Sequence, residues 1–257
     1  MKNLIPTKYL PLLALGCGLL GLLFRALLYA LGVDDQGLLA RGTFLNVLTW
    51  LPAVLATPLL VVGILPLKGS KHYRGNFSAS PAGATGAFLA AVGILVSVLT
   101  GMGEYSDLLA RARTVSGIAA ALCLVVTGIA RLRGRKPFFL FYGFICLFFA
   151  LNLTHLYRVW SGIPQTQDYL FSLFACVFLM FFAYYQTGFA IEEGQRRPLL
   201  LTGLMGAMLC LTAMAHTDSP LFYLGCGAWC ILNLCSLTPR RRRKPTPPTE
   251  DSAHENP

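Results

Sequence analysis

The chain has 257 residues, 55% of them hydrophobic and 12% charged, with a net charge of +10 and a mean hydropathy of +0.61. A water-soluble domain carries about a quarter charged residues, so this composition excludes a soluble two-domain enzyme, a secreted disulfide scaffold and a nucleic-acid-binding domain. The apolar residues fall in long blocks, the signature of a chain embedded in a bilayer.

A crossing helix needs about 20 mostly apolar residues. In chain order the candidates are Tyr9–Leu31, Phe44–Leu65, Ala84–Gly101, Val115–Ala130, Phe138–Tyr157, Tyr169–Phe189, Leu199–Ala215 and Leu221–Leu237. These blocks are apolar all round, whereas barrel strands alternate apolar and polar residues. The expected fold class is therefore all-α, a polytopic transmembrane bundle of about eight spans over residues 1–239. A basic juxtamembrane run and a disordered tail follow at 240–257. The fourth, seventh and eighth blocks are short, and their limits are the least defined.

The first block follows Lys2 and Lys8 and reads as an uncleaved signal anchor, because its apolar stretch is long and Arg25 interrupts it. Arg25 lies about 9 Å below the outer end of that span at helical rise. Ala14, Gly18, Gly21 and Arg25 follow helical spacing on one face, which turns Arg25 toward a neighbouring helix. The competing reading is an arginine snorkelling to the outer headgroups. With Arg25 and the turn Gly32-Val-Asp-Asp-Gln-Gly-Leu-Leu39, this stretch resembles uncharacterised multipass membrane proteins of anaerobic Gram-positive bacteria. That resemblance covers the first 40 or so residues, implies a bacterial plasma membrane, and brings no activity with it.

The second block carries Asn46 and two internal prolines, Pro52 and Pro58, which free backbone carbonyls and kink a helix. The Gly/Ser-rich loop Lys68–Ala82 reads as polar and flexible. Gly86/Ala90 and Gly203/Ala207 have the small-xxx-small spacing of close helix contacts, inside the bundle or against a second subunit. The fifth block combines an aromatic run, Phe138 to Phe149, with Asn152 and His155, which share a helix face.

After the sixth block, Glu192-Glu193-Gly-Gln-Arg-Arg197 resembles the first motif of the CAAX-processing intramembrane proteases, in which paired acids and later histidines activate water. The rest departs: Thr212 stands where that family has Phe before the histidine at 216, and no later His-x-x-x-Asn follows. The motif and His216 are also separated by a helix about 25 Å long, beyond hydrogen-bond reach.

Basic residues set the threading. With the amino terminus in the cytoplasm, the inner segments hold 16 of them, including Arg131, Arg196, Arg197 and the run Arg240, Arg241, Arg242, Arg243 and Lys244. The outer segments hold four: Arg41, Arg111, Arg113 and Arg158. An even number of spans with both termini cytoplasmic (N-in/C-in) satisfies the positive-inside rule, and an odd number spoils it. The net charge is thus a threading signal, and the Arg240–Lys244 run a contact for anionic inner-leaflet lipid.

All eight cysteines lie inside the blocks, with no Cys-x-x-Cys pair, and read as packing residues. Cys226 and Cys230 share a face at i,i+4 and would need a third ligand from another helix to hold a soft metal. No Asp or Glu lies mid-span, so proton- or sodium-coupled transport through intramembrane acids is disfavoured. No histidine lies deep enough for haem ligation, and no cofactor is expected.

A polar side chain in lipid is expensive and therefore a candidate for function. The candidate ligand-binding set is an outer-leaflet cluster of Arg25, Asn46, Asn152, His155 and His216, with Glu104 and Asp107 nearby. The expected protein is a non-enzymatic membrane protein that binds or passes a small or lipidic ligand there. The alternatives are an assembly subunit, in which Arg25 is a clamp and the small-residue faces meet a membrane-protein partner or a second copy, and more remotely a CAAX-type protease.

Overall fold

A computed structural model describes residues 9–31, 44–67, 71–101, 107–161, 169–215 and 217–237. His216 and the Arg240–Lys244 run lie outside these residues, as do Arg41 and Glu104. The described residues form helices and no strand, apart from an isolated antiparallel bridge between Phe77 and Leu237. The helices are α1 (Leu10–Leu31), α2 (Phe44–Ile64), α3 (Tyr73–Asn76), α4 (Pro81–Thr100), α5 (Leu108–Leu132), α6 (Phe139–Trp160), α7 (Leu170–Ala190), α8 (Arg196–Ala213) and α9 (Pro220–Cys235). Six of them, α1, α2, α4, α5, α6 and α7, are long and apolar enough to cross a membrane.

The eight apolar blocks each become one long helix, but charged residues do not end helices where they end hydropathy. The fourth block was bounded at Val115 by the arginines upstream, whereas α5 begins at Leu108 and takes Arg111 and Arg113 into its first turns. Backbone hydrogen bonding favours continuing the helix, and a guanidinium at the membrane edge finds polar partners. The same extension puts Arg131 in the last turn of α5, buried, rather than in a loop.

Helices α4 to α9 form a closed ring, each packed on its chain neighbours, with α9 returning onto α4; α1 and α2 pack as a pair on the outside of α8. Close approach relies on missing side chains. A Cβ on Gly93 would stand 2.6 Å from the Leu221 carbonyl oxygen, and one on Gly225 would overlap that of Leu89, so α4 and α9 meet backbone to backbone. Gly86 lies against Trp229 and Leu232, and Gly203 against Phe182 and Leu234. Both small-residue faces are therefore spent inside the bundle. The face Ala14, Gly18, Gly21, Arg25 is buried likewise, against Leu211 and Thr212 of α8.

Inside the ring, Phe148, Phe149, Phe182 and Trp229 are fully buried, with Phe149 stacked on Trp229, Phe182 edge-on to Trp229 and Phe148 tilted against Phe149. Cys176, Cys210, Cys226 and Cys230 fill the remaining space as free thiols. Among the described residues no three His, Cys, Asp or Glu side chains gather closely enough to hold a metal ion.

The chain runs up and down, so loops cluster at two ends. At one end Arg197 Nε donates to the Leu67 carbonyl at 2.8 Å, the Gly194 amide to that of Lys71 at 3.1 Å, and the Ser80 amide to that of Arg131 at 3.2 Å. This end holds Lys71, Arg74, Arg131, Arg133, Arg135, Lys136, Arg196 and Arg197, and both Leu10 and Leu237 lie at it. The opposite end holds Arg111, Arg113 and Arg158, the last ion-paired with Asp107.

The segment expected to be a flexible loop is folded where it is described. Residues 71–80 turn under the ring, and Tyr73, Asn76 and Phe77 are buried, the Phe77 ring packing edge-on to Phe189 and the Tyr73 ring against Phe77. Ser80 then caps α4 by accepting from the Gly83 amide at 3.2 Å, with Pro81 at the first helical position.

Candidate functional site: a polar cavity at one end of the ring

The end opposite the basic cluster opens into a cavity of about 460 Å³ between the end of α4, the start of α5, the end of α6 and the start of α9. Its cation is Arg113. From the second turn of α5, its Nε donates to Asn152 Oδ1 at 2.8 Å and its Nη2 to Ser97 Oγ at 3.3 Å. Both acceptors are buried, Asn152 on α6 and Ser97 on α4. Asn152 is itself held by donation from its Nδ2 to Cys176 Sγ at 3.4 Å. A guanidinium oriented through two of its nitrogens by fixed partners is a preorganised donor.

His155 lies one turn beyond Asn152 in the same lining, as their i,i+3 spacing requires. Thr100, Thr217 and Ser219 supply hydroxyls, Asp218 a carboxylate at the exposed rim, and Trp160, Phe222 and Tyr223 aromatic surface. Trp160 is fixed by stacking on Tyr169 at 4.1 Å between centroids. Behind the lining residue Phe222 lie the buried rings of Phe148 and Phe149, each 6.3 Å from it between centroids, so on that side the cavity, a vestibule, meets packed core.

Of the residues singled out from sequence, Asn152 and His155 come together in this lining. Arg25 does not join them. It is 2% exposed, its Nη1 donates to the Thr212 carbonyl at 3.3 Å, and its guanidinium sits 5.2 Å from the Phe171 ring centroid. Thr212 is in the last turn of α8, where carbonyls lack intrahelical donors, so Arg25 reaches across from α1 and caps α8. Phe171 carries Trp50 on its other contacts, stacked at 4.2 Å. Asn46 lies in the first turn of α2, half-buried, away from the cavity lining.

Sequence reasoning missed Arg113, Ser97 and the 217–219 turn. The signal for Arg113 was present: Arg113, Gly117, Ala120 or Ala121, Leu124, Thr127 or Gly128, and Arg131 continue one face of α5, and the buried residues of that helix lie on it.

The paired acids have a local role at the basic end. Glu192 adopts φ +67° just beyond α7, where the Glu193 amide donates to the Gly188 carbonyl at 2.9 Å and the Glu192 amide to that of Phe189 at 3.2 Å, a Schellman C-cap. The side chain then accepts from Lys136 Nζ at 3.1 Å and pairs with His72 at 3.2 Å. Those two hydrogen bonds, Lys136 first, hold its carboxyl below the usual range. An exposed carboxylate held between Lys136 and His72 is a loop tie, at the end of the bundle opposite the C-terminus of α8.

No family model, curated protein or solved structure matches the chain.

Proposed function

We propose that the chain is a non-enzymatic plasma-membrane protein that binds a small or lipidic ligand in this vestibule. In this reading all eight long helices cross the bilayer, the cavity faces outward, and both termini lie in the cytoplasm. The helical, apolar bundle supports the membrane setting. The excess of arginine and lysine at the end opposite the cavity supports the orientation. The Arg240–Lys244 run then meets anionic lipid of the inner leaflet.

The observation that carries the ligand reading is Arg113, a cation pinned by two buried side chains at the wall of a 460 Å³ cavity. A concave site of this size, in which convergent polar groups meet aromatic surface, is of the kind that holds small molecules. The buried aromatic rings packed behind Phe222 favour binding over free passage.

The test is native mass spectrometry of gently solubilised protein, wild type beside Arg113→Gln. The expected result is a stoichiometric small molecule or lipid on the wild type that is missing from the variant, with both proteins equally folded. A bare wild-type protein, or an adduct retained in full by Arg113→Gln, overturns the reading.

A further inference from the structure

The basic end of the bundle carries a buried positive charge that no described carboxylate answers. Arg131 Nη2 donates to Asn233 Oδ1 and to Ser236 Oγ, while among the described residues its Nε and Nη1 are buried with no hydrogen-bond partner. The described carboxylates at this end are Glu192, tied to Lys136 and His72, and Glu193, and both are exposed.

What surrounds the guanidinium is neutral or positive. The Phe77 ring centroid lies 4.0 Å from it and the Tyr73 centroid 5.9 Å, and the buried Tyr73 hydroxyl has no hydrogen-bond partner among the described residues. Asn233 passes the donation on to Gln186 Oε1 at 3.4 Å, and Gln186 Nε2 is again a buried donor with no described acceptor. Arg131 Nε faces the first turn of α4: a Cβ on Gly83 would stand 3.4 Å from it, and the Ser80 amide at the start of that helix donates to the Arg131 carbonyl. The amides of a first turn carry partial positive charge, so α4 adds to the field of Arg131 instead of offsetting it.

We propose that this corner of α4, α5 and α9 binds a small monovalent anion of the halide class, with Arg131 and the Tyr73 hydroxyl as its donors at the first turn of α4. A neutral acceptor would satisfy the donors and leave the charge; an anion answers both. Enclosure by Phe77, Tyr73 and Gly83 favours a single-atom anion over phosphate or sulfate, whose further oxygens would need donors of their own. The site stands at the end of the bundle opposite the vestibule and does not depend on a ligand there.

The test uses the full chain in detergent, exchanged into sodium gluconate and titrated with sodium chloride or bromide at constant ionic strength. The melting temperature should rise saturably, by about 3–6 °C at a chloride concentration ten times the dissociation constant, and sulfate should give no such rise. Arg131→Met should abolish the response while melting within a few degrees of wild type in gluconate, where the arginine has its protein partners alone. Arg113→Gln, at the vestibule, should keep the response. Tyr73→Phe decides the matter even where Arg131→Met does not fold, because it removes a donor to the anion and no other described hydrogen bond. In gluconate it should melt at or above the wild-type temperature, and in chloride it should need about tenfold more salt for the same rise.

A wild-type melting temperature indifferent to chloride overturns the site, as does a rise that sulfate reproduces. So does a response that Arg131→Met retains, one that Arg113→Gln loses, or a chloride midpoint that Tyr73→Phe leaves unmoved.

Discussion

The buried arginine at the basic end yields a prediction whose sign differs from intuition. Arg131 is 3% exposed. Its Nη2 donates to Asn233 Oδ1 and, at 3.1 Å, to Ser236 Oγ, and its guanidinium lies 4.0 Å from the Phe77 ring centroid. Among the described residues its Nε and Nη1 are buried with no hydrogen-bond partner, so the charge is under-compensated. Replacing Asn233 by Leu removes an acceptor and leaves the cation in place, and a buried charge deprived of a partner costs about 3–5 kcal/mol. Phe77 and Ser236 remain, which sets the expected cost near the lower figure. Replacing Arg131 by Met instead removes the charge. It leaves Asn233 Oδ1 without a donor at about 1–3 kcal/mol, but ends a desolvation penalty of several kcal/mol and keeps the packing on Phe77. Arg131→Met should therefore cost about 1 kcal/mol or less, and the double variant should resemble it rather than the sum. Thermal unfolding of detergent-solubilised protein would read Asn233→Leu as a fall of roughly 6–12 °C and Arg131→Met as a fall of roughly 4 °C at most. If Arg131→Met proves the more damaging of the two, the guanidinium is better paid in this fold than its partners indicate, and the reasoning fails.

Two further expectations concern packing and charge. Gly225→Ala should destabilise by about 2–4 kcal/mol, because its Cβ would overlap the Leu89 carbonyl oxygen and neither backbone can retreat, whereas Gly143→Ala, with nothing within 4 Å, should stabilise by about 0.5–1 kcal/mol through helix propensity; equal melting shifts for the pair would contradict the backbone contact of α4 and α9. Glu192 should govern part of the acid response: a carboxyl held low in the folded state contributes stability above its ordinary value of 4.5 and loses it as pH falls through the lowered one. A melting-temperature difference between wild type and Glu192→Gln should thus be present at pH 6 and vanish on strong acidification; a difference growing with acid would refute the tie to Lys136 and His72.

Hydropathy made the eight long helices legible, since each apolar block became one helix with ends shifted by a few residues, except at α5. What it concealed is how far helices run past their apolar limits. A window average falls wherever arginine appears, but the helix does not end there, and the shift at α5 moved Arg113 and Arg131 from loops onto a packed face. The short α3 was hidden for a different reason: Tyr73 and Phe77 are spaced as one helical turn, and only the docking surface of Phe189 gives that turn a purpose.

The same pattern occurs three times in this chain, and the structure gives it three outcomes. On α1 the face Gly18, Gly21 ends in Arg25; on α5 the face from Gly117 to Gly128 ends in Arg113 above and Arg131 below. Small residues bring the backbone close to a neighbour, and the arginine at the end of the face is then carried into the bundle with its stem buried. Its role depends on what the neighbour offers at that height. Arg25 meets the bare carbonyls ending α8 and becomes a cap. Arg131 meets Asn233, Ser236 and an aromatic face and becomes a clamp. Arg113 meets Asn152 and Ser97 at the wall of a cavity, and its place in that lining sets it apart from the other two. Sequence spacing identifies arginines directed into the bundle, and what each of them meets there is decided by helices distant in the chain.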